Sequence, residues 1–300
     1  MGCLSRITVS TKEREAGLLS ADNMTAALSA LRQDGVVMLE RLFEPSLLTS
    51  IARKMTIDLE REKREGMAWS GGGKLIGHLN AVPPTTPEFL TEQLLLNPIL
   101  FALSQSVFDK PVLNIKFTSN VNLPGSVRQS FHPDFRALDD IDQLNISVPL
   151  CDVSERNGST EVVPGTYRIP FTFKRLEQEL QSRRAERANA SVGSAMLWFP
   201  SLWHRGTANA SADPRHMITL THAPVGSKSH EAAPPTQLPE SAKALVRGRE
   251  NAVKATFSAI SGDTVFTPNY FKPTFVGRLR ESLHAVSPRT NEFLMKHLGK

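Results

Sequence analysis

His132 and Asp134 stand two residues apart in "QSFHPDF", which runs from Gln129 to Phe135. On an extended strand, residues i and i+2 point to the same face. The pair therefore offers one imidazole nitrogen and one carboxylate oxygen to the same ion. His204 follows in "GSAMLWFPSLWHRGTANAS", after a strand-and-turn pattern. Two histidines and one carboxylate form the facial ligand set of non-haem Fe(II) oxygenases, which leaves coordination positions open. A 2-oxo acid chelates at two of these and leaves one for O2. Its far carboxylate then needs a cation. Arg215 supplies one where the next strand-like run begins, and a planar guanidinium fork matches a carboxylate better than an ammonium does. Two other readings share these ligands. One is a zinc-dependent, cupin-like hydrolase. The other is a catalytically inactive 2-oxoglutarate-binding protein.

These side chains need a scaffold. Before residue 110 the pattern is mostly helical. "SADNMTAALSALRQDG" (20–35) has capping residues, apolar residues at helical spacing and a closing glycine. "VVMLERLF" reads as a short strand. From Pro45 to Gly66, Leu48, Ile51, Met55 and Leu59 recur at spacings of three and four, which predicts an amphipathic helix. "SGGGKLIGHLNAVPPTTP" (70–87) reads as a loop, and "TEQLLLNPILFALSQSVF" as a further helix. Then the texture changes. "VLNIKFTSNVNL", "LNISVPLCDV", "STEVVPG", "SAMLWFP" and "HMITLTHAPV" are short apolar or alternating runs bounded by Gly, Pro, Asn and Ser. They predict an antiparallel β core, interrupted by one helix over 173–189. The expected fold is mainly β with flanking α: a double-stranded β-helix of jelly-roll or cupin type with N-terminal helices. It forms a single domain over 1–300, with a helical part at about 20–108, a barrel at about 110–225 and a C-terminal extension at 226–300.

Composition narrows the class. The chain has 300 residues, 40% of them hydrophobic and 22% charged, which is ordinary for a globular domain. Cys3 and Cys151 are too few for a disulfide framework, so a reducing, cytoplasmic setting is expected. No apolar run approaches the ~20 residues that span a bilayer, and the first 25 residues lack a signal-peptide apolar stretch. In "MGCLSR", Arg6 stands where an N-myristoylation motif has Ser or Thr, and "KHLGK" is not a peroxisomal address. The net charge of +5 is spread among glutamates, as on solvated helix faces, so no nucleic-acid partner is expected.

His132-x-Asp134, His204, Arg215 and "NGSTEVVPGTYR" (157–168), in this order, resemble the phytanoyl-CoA dioxygenase superfamily of Fe(II)- and 2-oxoglutarate-dependent oxygenases. The resemblance covers about residues 21–225. It implies that His132, Asp134 and His204 hold Fe(II) and that Arg215 anchors the distal carboxylate of 2-oxoglutarate. Gln129 and Thr160 would assist. It implies oxidation of a small-molecule C–H bond with O2, releasing succinate and CO2, with ascorbate as a reductant in vitro. Hydroxylation, desaturation and oxidative cyclisation all fit; halogenation does not, because Asp134 fills the position chloride would need. Two departures stand out. Tyr167 occupies the place of the family's histidine after Pro-Gly-Thr, and Asn122-Leu123-Pro124 stands where many members carry a lysine.

Further assignments follow from position. His78 and Asn80 lie in the Gly-rich segment expected to cover the pocket mouth, where a lid would exclude water, and with Trp69 they are expected to touch substrate. Arg128, Phe135 and Arg136 flank the metal strand and are further substrate candidates. Trp198, Phe199 and Trp203 are read as packing residues. His216 and His222 share strand parity with each other and not with Arg215, so they are expected to point away from the metal side.

Overall fold

The computed structural model describes residues 2–64, 76–81, 91–135 and 141–232. The predicted residues Trp69 and Arg136, and nearly all of the C-terminal extension, lie outside them.

The chain begins with a short strand, β1 (Ser5–Thr8), and helix α1 (Thr11–Ala16). Helix α2 (Ala21–Asp34) is capped by Ser20 and closed by Gly35, whose φ of 75° lies in the left-handed region. Strand β2 (Val36–Glu40) and helix α3 (Pro45–Arg64) follow. The expected third helix is two helices, α4 (Glu92–Leu95) and α5 (Pro98–Phe108). Pro98 cannot donate a backbone N–H, and the Asn97 side chain caps the new start by accepting from Ile99 and Leu100.

Two readings are corrected between residues 70 and 190. The segment 70–87 is not one loop, because His78–Ala81 form strand β3. It adds to the open edge of the long strand β4 (Val112–Asn122), pairing His78 with Asn122 and Asn80 with Asn120. The helix expected over 173–189 stops early. Helix α6 is Phe173–Ser182, and Glu186–Arg187 form strand β7 instead, paired to β6 (Glu161–Val162). Glu161 on β6 lies 3.6 Å from Arg187, a tertiary contact that helical periodicity does not register.

Two sheets face each other. The larger has seven strands in the order β1-β2-β8-β5-β10-β4-β3, where β5 is Leu144–Pro149, β8 is Ala195–Trp198 and β10 is Arg215–Pro224. The smaller is β7-β6-β9, with β9 at His204–Arg205. This is the jelly-roll, cupin-type core expected from the short alternating runs. The parallel β1–β2 pair extends it towards the N-terminal end of the chain.

Directly opposed residues of an antiparallel pair share a face, so the register sorts every side chain of the large sheet. Ile146, Val148, Ile218, Leu220 and Phe117 lie on one face, all fully or nearly fully buried in the main core. His216 and His222 share that face and meet the helices: His216 Nε2 lies 2.9 Å from Thr56 Oγ1 on α3, and His222 Nδ1 lies 2.8 Å from Ser104 Oγ on α5. The expected parity therefore holds. The opposite face carries Asn145, Ser147, Thr219, Asn120, Asn122 and Arg215. It is polar where the outer face is apolar, and it faces the small sheet.

Candidate metal centre

Alternation on the small sheet places the histidines. Phe131, Val163 and Trp203 turn outward and form a satellite core with Leu176 of α6. His132 and His204, one residue on in each case, turn inward. Their backbones form an antiparallel bridge, with both N–H to O=C distances at 2.9 Å. The ring centroids are 4.6 Å apart. Asp134 lies in a bend rather than on a strand, and its backbone N–H donates to Pro200 O at 2.8 Å. Its Oδ1 sits 3.9 Å from His132 Nε2 and 3.6 Å from His204 Nε2.

The hydrogen bonds decide which nitrogen faces inward. His132 Nδ1 lies 2.8 Å from Ser130 O, and His204 Nδ1 lies 2.9 Å from Leu202 O. A carbonyl only accepts, so each Nδ1 carries the hydrogen. In the neutral rings both Nε2 lone pairs then point at a carboxylate. That arrangement repels unless a cation lies between the three. Donor atoms from His132, Asp134 and His204 all fall within 4.8 Å of one another, and a carbonyl holding the far ring nitrogen is how a metal-ligating histidine is usually oriented. The donor set fits a divalent ion. Trp198 packs its ring against His204 at 4.5 Å and donates Nε1–H to Ser147 Oγ at 3.0 Å, which fixes one side of the imidazole.

Arg215 is 2% exposed. Among the described residues no carboxylate pairs with it. Its Nη2 donates to Gly158 O at 3.2 Å and its Nη1 to Asn120 Oδ1 at 3.5 Å, while Nε is buried with no partner. Burial pushes its pKa down to about 10, partly offset by Cys151, yet it remains a cation at neutral pH. Near Gly158, two more buried polar atoms lack partners, Asn122 Oδ1 and Ser159 Oγ. A buried unpaired cation is costly, and here it faces the side of the sandwich that holds the histidines.

The other expected residues fall as follows. Gln129 Oε1 accepts from Gly206 N–H at 2.7 Å, which ties it to the strand that carries His204. Thr160 is half-buried one residue before β6, and its carbonyl accepts from Ala188 N–H. His78 is 1% exposed, and its Nε2 lies 2.8 Å from Val127 O. It packs against Gly206, where an added Cβ would meet His78 Cε1 at 2.6 Å and Gln129 Oε1 at 2.7 Å. Asn80 is half-buried beside Asn120. Arg128 is exposed, and Phe135 is 39% exposed next to Asp134. Sequence reasoning missed Asn120, Asn122 and Gly158, which surround Arg215. Strand parity would have placed both asparagines, but only the β4–β10 register shows that they share a face with Arg215.

The chain is 24% identical over 216 residues to the dioxygenase trt7 of Aspergillus terreus, covering 66% of this chain and 72% of that protein. Among solved structures, AviO1 from Streptomyces viridochromogenes aligns with a TM-score of 0.56 at 19% identity, covering 72% of this chain and all of that one. The epimerase SnoN, in complex with Fe3+, alpha ketoglutarate and nogalamycin RO, aligns with a TM-score of 0.55 at 15% identity over 68% of this chain and 85% of that one. Residues 31–217 match the phytanoyl-CoA dioxygenase (PhyH) family profile. By that match the chain belongs to the phytanoyl-CoA dioxygenase family and is a 2-oxoglutarate-dependent dioxygenase.

Proposed function

We propose that residues 1–300 form a single oxygenase domain that oxidises a C–H bond of a small molecule by hydroxylation, desaturation or cyclisation. In this reading His132, Asp134 and His204 hold Fe(II), and Arg215 holds the distal carboxylate of 2-oxoglutarate. Iron bound there supplies activation of O2 coupled to oxidative decarboxylation of 2-oxoglutarate to succinate and CO2. The SnoN complex with iron and alpha ketoglutarate on the same fold supports this cofactor pair.

The chain's own residues do the rest. Ser130 O and Leu202 O hold the two Nδ1 hydrogens and aim the Nε2 atoms inward. Asp134 is the most open of the three ligands, 47% exposed at its side chain against 23% for His132 and 11% for His204. Trp198 walls off one side of His204. Gln129 keeps the strand after His204 in register through Gly206, and Thr160 shares strand parity with Val162, which pairs with His204. His78, Asn80, Arg128 and Phe135 are proposed to contact substrate.

The observation that carries the reading is Arg215, a buried cation with an orphaned Nε and no carboxylate partner among the described residues. A zinc hydrolase with the same three ligands has no need of it. The test is succinate formation from 2-oxoglutarate in the presence of Fe(II), ascorbate and O2, with His132→Ala as control. Under argon, Fe(II) and 2-oxoglutarate should give the visible charge-transfer band of the chelate. Absence of both succinate and that band would overturn the reading.

A further inference from the structure

A cavity lies apart from Arg215. It has a volume of about 490 Å3 and is lined by Arg32 at the end of α2, Phe108 at the end of α5, Ile141 before β5, and Tyr167, Arg168 and Phe199. Its size falls in the range of small-molecule sites. Along β10 it belongs to the opposite end from Arg215. Phe199 follows Trp198, which pairs with Asn145, and Asn145 pairs with Thr221, whereas Arg215 begins the strand.

The walls have a particular chemistry. Tyr167 and Phe199 stack with centroids 4.8 Å apart at 17°. The Tyr167 hydroxyl donates to Arg32 O at 2.6 Å and accepts from Arg168 Nε at 2.9 Å. Both hydrogen-bonding roles of that hydroxyl are thereby used, and it acts as a clamp. The Arg168 guanidinium is held 5.1 Å from the Tyr167 ring centroid. With Nε committed to the phenol, its two terminal nitrogens remain for an end-on, bidentate carboxylate. Neither Arg32 nor Arg168 has a carboxylate partner among the described residues. Two guanidinium groups beside the apolar side chains of Val107, Phe108 and Ile141 match one kind of ligand, an anion with an apolar body.

The cavity also shares backbone with the metal centre. Phe199 stands between Trp198, whose ring touches His204, and Pro200, whose carbonyl accepts the N–H groups of Asp134 and Phe135. We propose that this cavity is a second ligand site beside the metal centre, for an organic carboxylate with an apolar body.

The probe is 2-naphthoate, titrated calorimetrically into the full chain, with 2-naphthalenemethanol as the neutral comparator. The expected result is binding of the acid and not of the alcohol. Arg168→Ala should weaken it at least about 10-fold, Arg168→Lys should restore part of the loss, and excess 2-oxoglutarate should not displace it. Arg168 is exposed, and an unchanged melting temperature would show that Arg168→Ala is folded. Equal binding by wild type and Arg168→Ala would overturn the proposal. So would displacement by 2-oxoglutarate, which would place the probe at Arg215. Because no iron is needed, loss of naphthoate binding and loss of succinate formation report separately on the two readings.

Discussion

Arg215→Met separates a cofactor anchor from a structural cation. The wild-type guanidinium is 2% exposed, makes two hydrogen bonds of 3.2 and 3.5 Å, and leaves Nε unpaired. The effective penalty for burying an ion is several kcal/mol, and two hydrogen bonds from a charged group, both long, return about 1.5 kcal/mol each, the low end of the range for charged donors. Methionine fills similar volume with a flexible apolar chain. The ligand-free variant should therefore be more stable than wild type by about 1–2 kcal/mol, which for a chain of this size is roughly 2–4 °C in Tm. Wild type should respond to 2-oxoglutarate. With Fe(II) under argon and ligand at 100 times Kd, linkage gives about 2.7 kcal/mol, or roughly 5 °C, and the variant should lose that shift. The assay is differential scanning fluorimetry with and without Fe(II) and 2-oxoglutarate. A variant that melts well below wild type, together with a wild type indifferent to 2-oxoglutarate, would refute the reasoning and make Arg215 a fold determinant.

Other expectations follow from single contacts. His132→Ala should lose bound iron and succinate formation while keeping its fold, because the bridge to His204 is made by backbone atoms; metal analysis and circular dichroism check this. Gly206→Ala places a Cβ within 2.7 Å of both His78 and Gln129 and should cost about 1–3 kcal/mol, read by denaturant titration, with a raised KM for 2-oxoglutarate. His216 and His222 have pKa values pushed down by burial to about 4 and about 3, with Arg215 and then Lys63 also lowering that of His216. Folded, they stay neutral; unfolded, they protonate below about pH 6.5. Below that pH the unfolded state binds more protons, so stability is full above it and falls towards pH 4 by up to about 2.7 kcal/mol per pH unit for the two together. His222→Gln should halve that slope in urea titrations, and an unchanged slope would show that His222 is not responsible.

The chemistry was legible before the fold because it rests on residue type and short spacing. His132-x-Asp134 and the glycine and proline punctuation of the β runs are local signals, and so are Ser20 and Gly35 at the ends of α2. The parity argument for His216 and His222 needed only a regular strand. The local signals failed where pairing partners decide. The sequence of β3 carries loop punctuation and becomes a strand because the edge of β4 is open to it. Residues 186–187 sit inside a helical pattern and become β7 because β6 supplies a ladder and Glu161 lies near Arg187. Asp134 reaches the histidines from a bend anchored by Pro200, not from the strand its spacing suggested. The amino-acid sequence by itself determined which groups were available: two imidazoles, a carboxylate and a guanidinium. Only the tertiary structure decided that both imidazoles turn Nε2 towards that carboxylate and that Arg215 lies buried without a counter-charge among the described residues, because both depend on backbone carbonyls and strand registers brought together from distant parts of the chain.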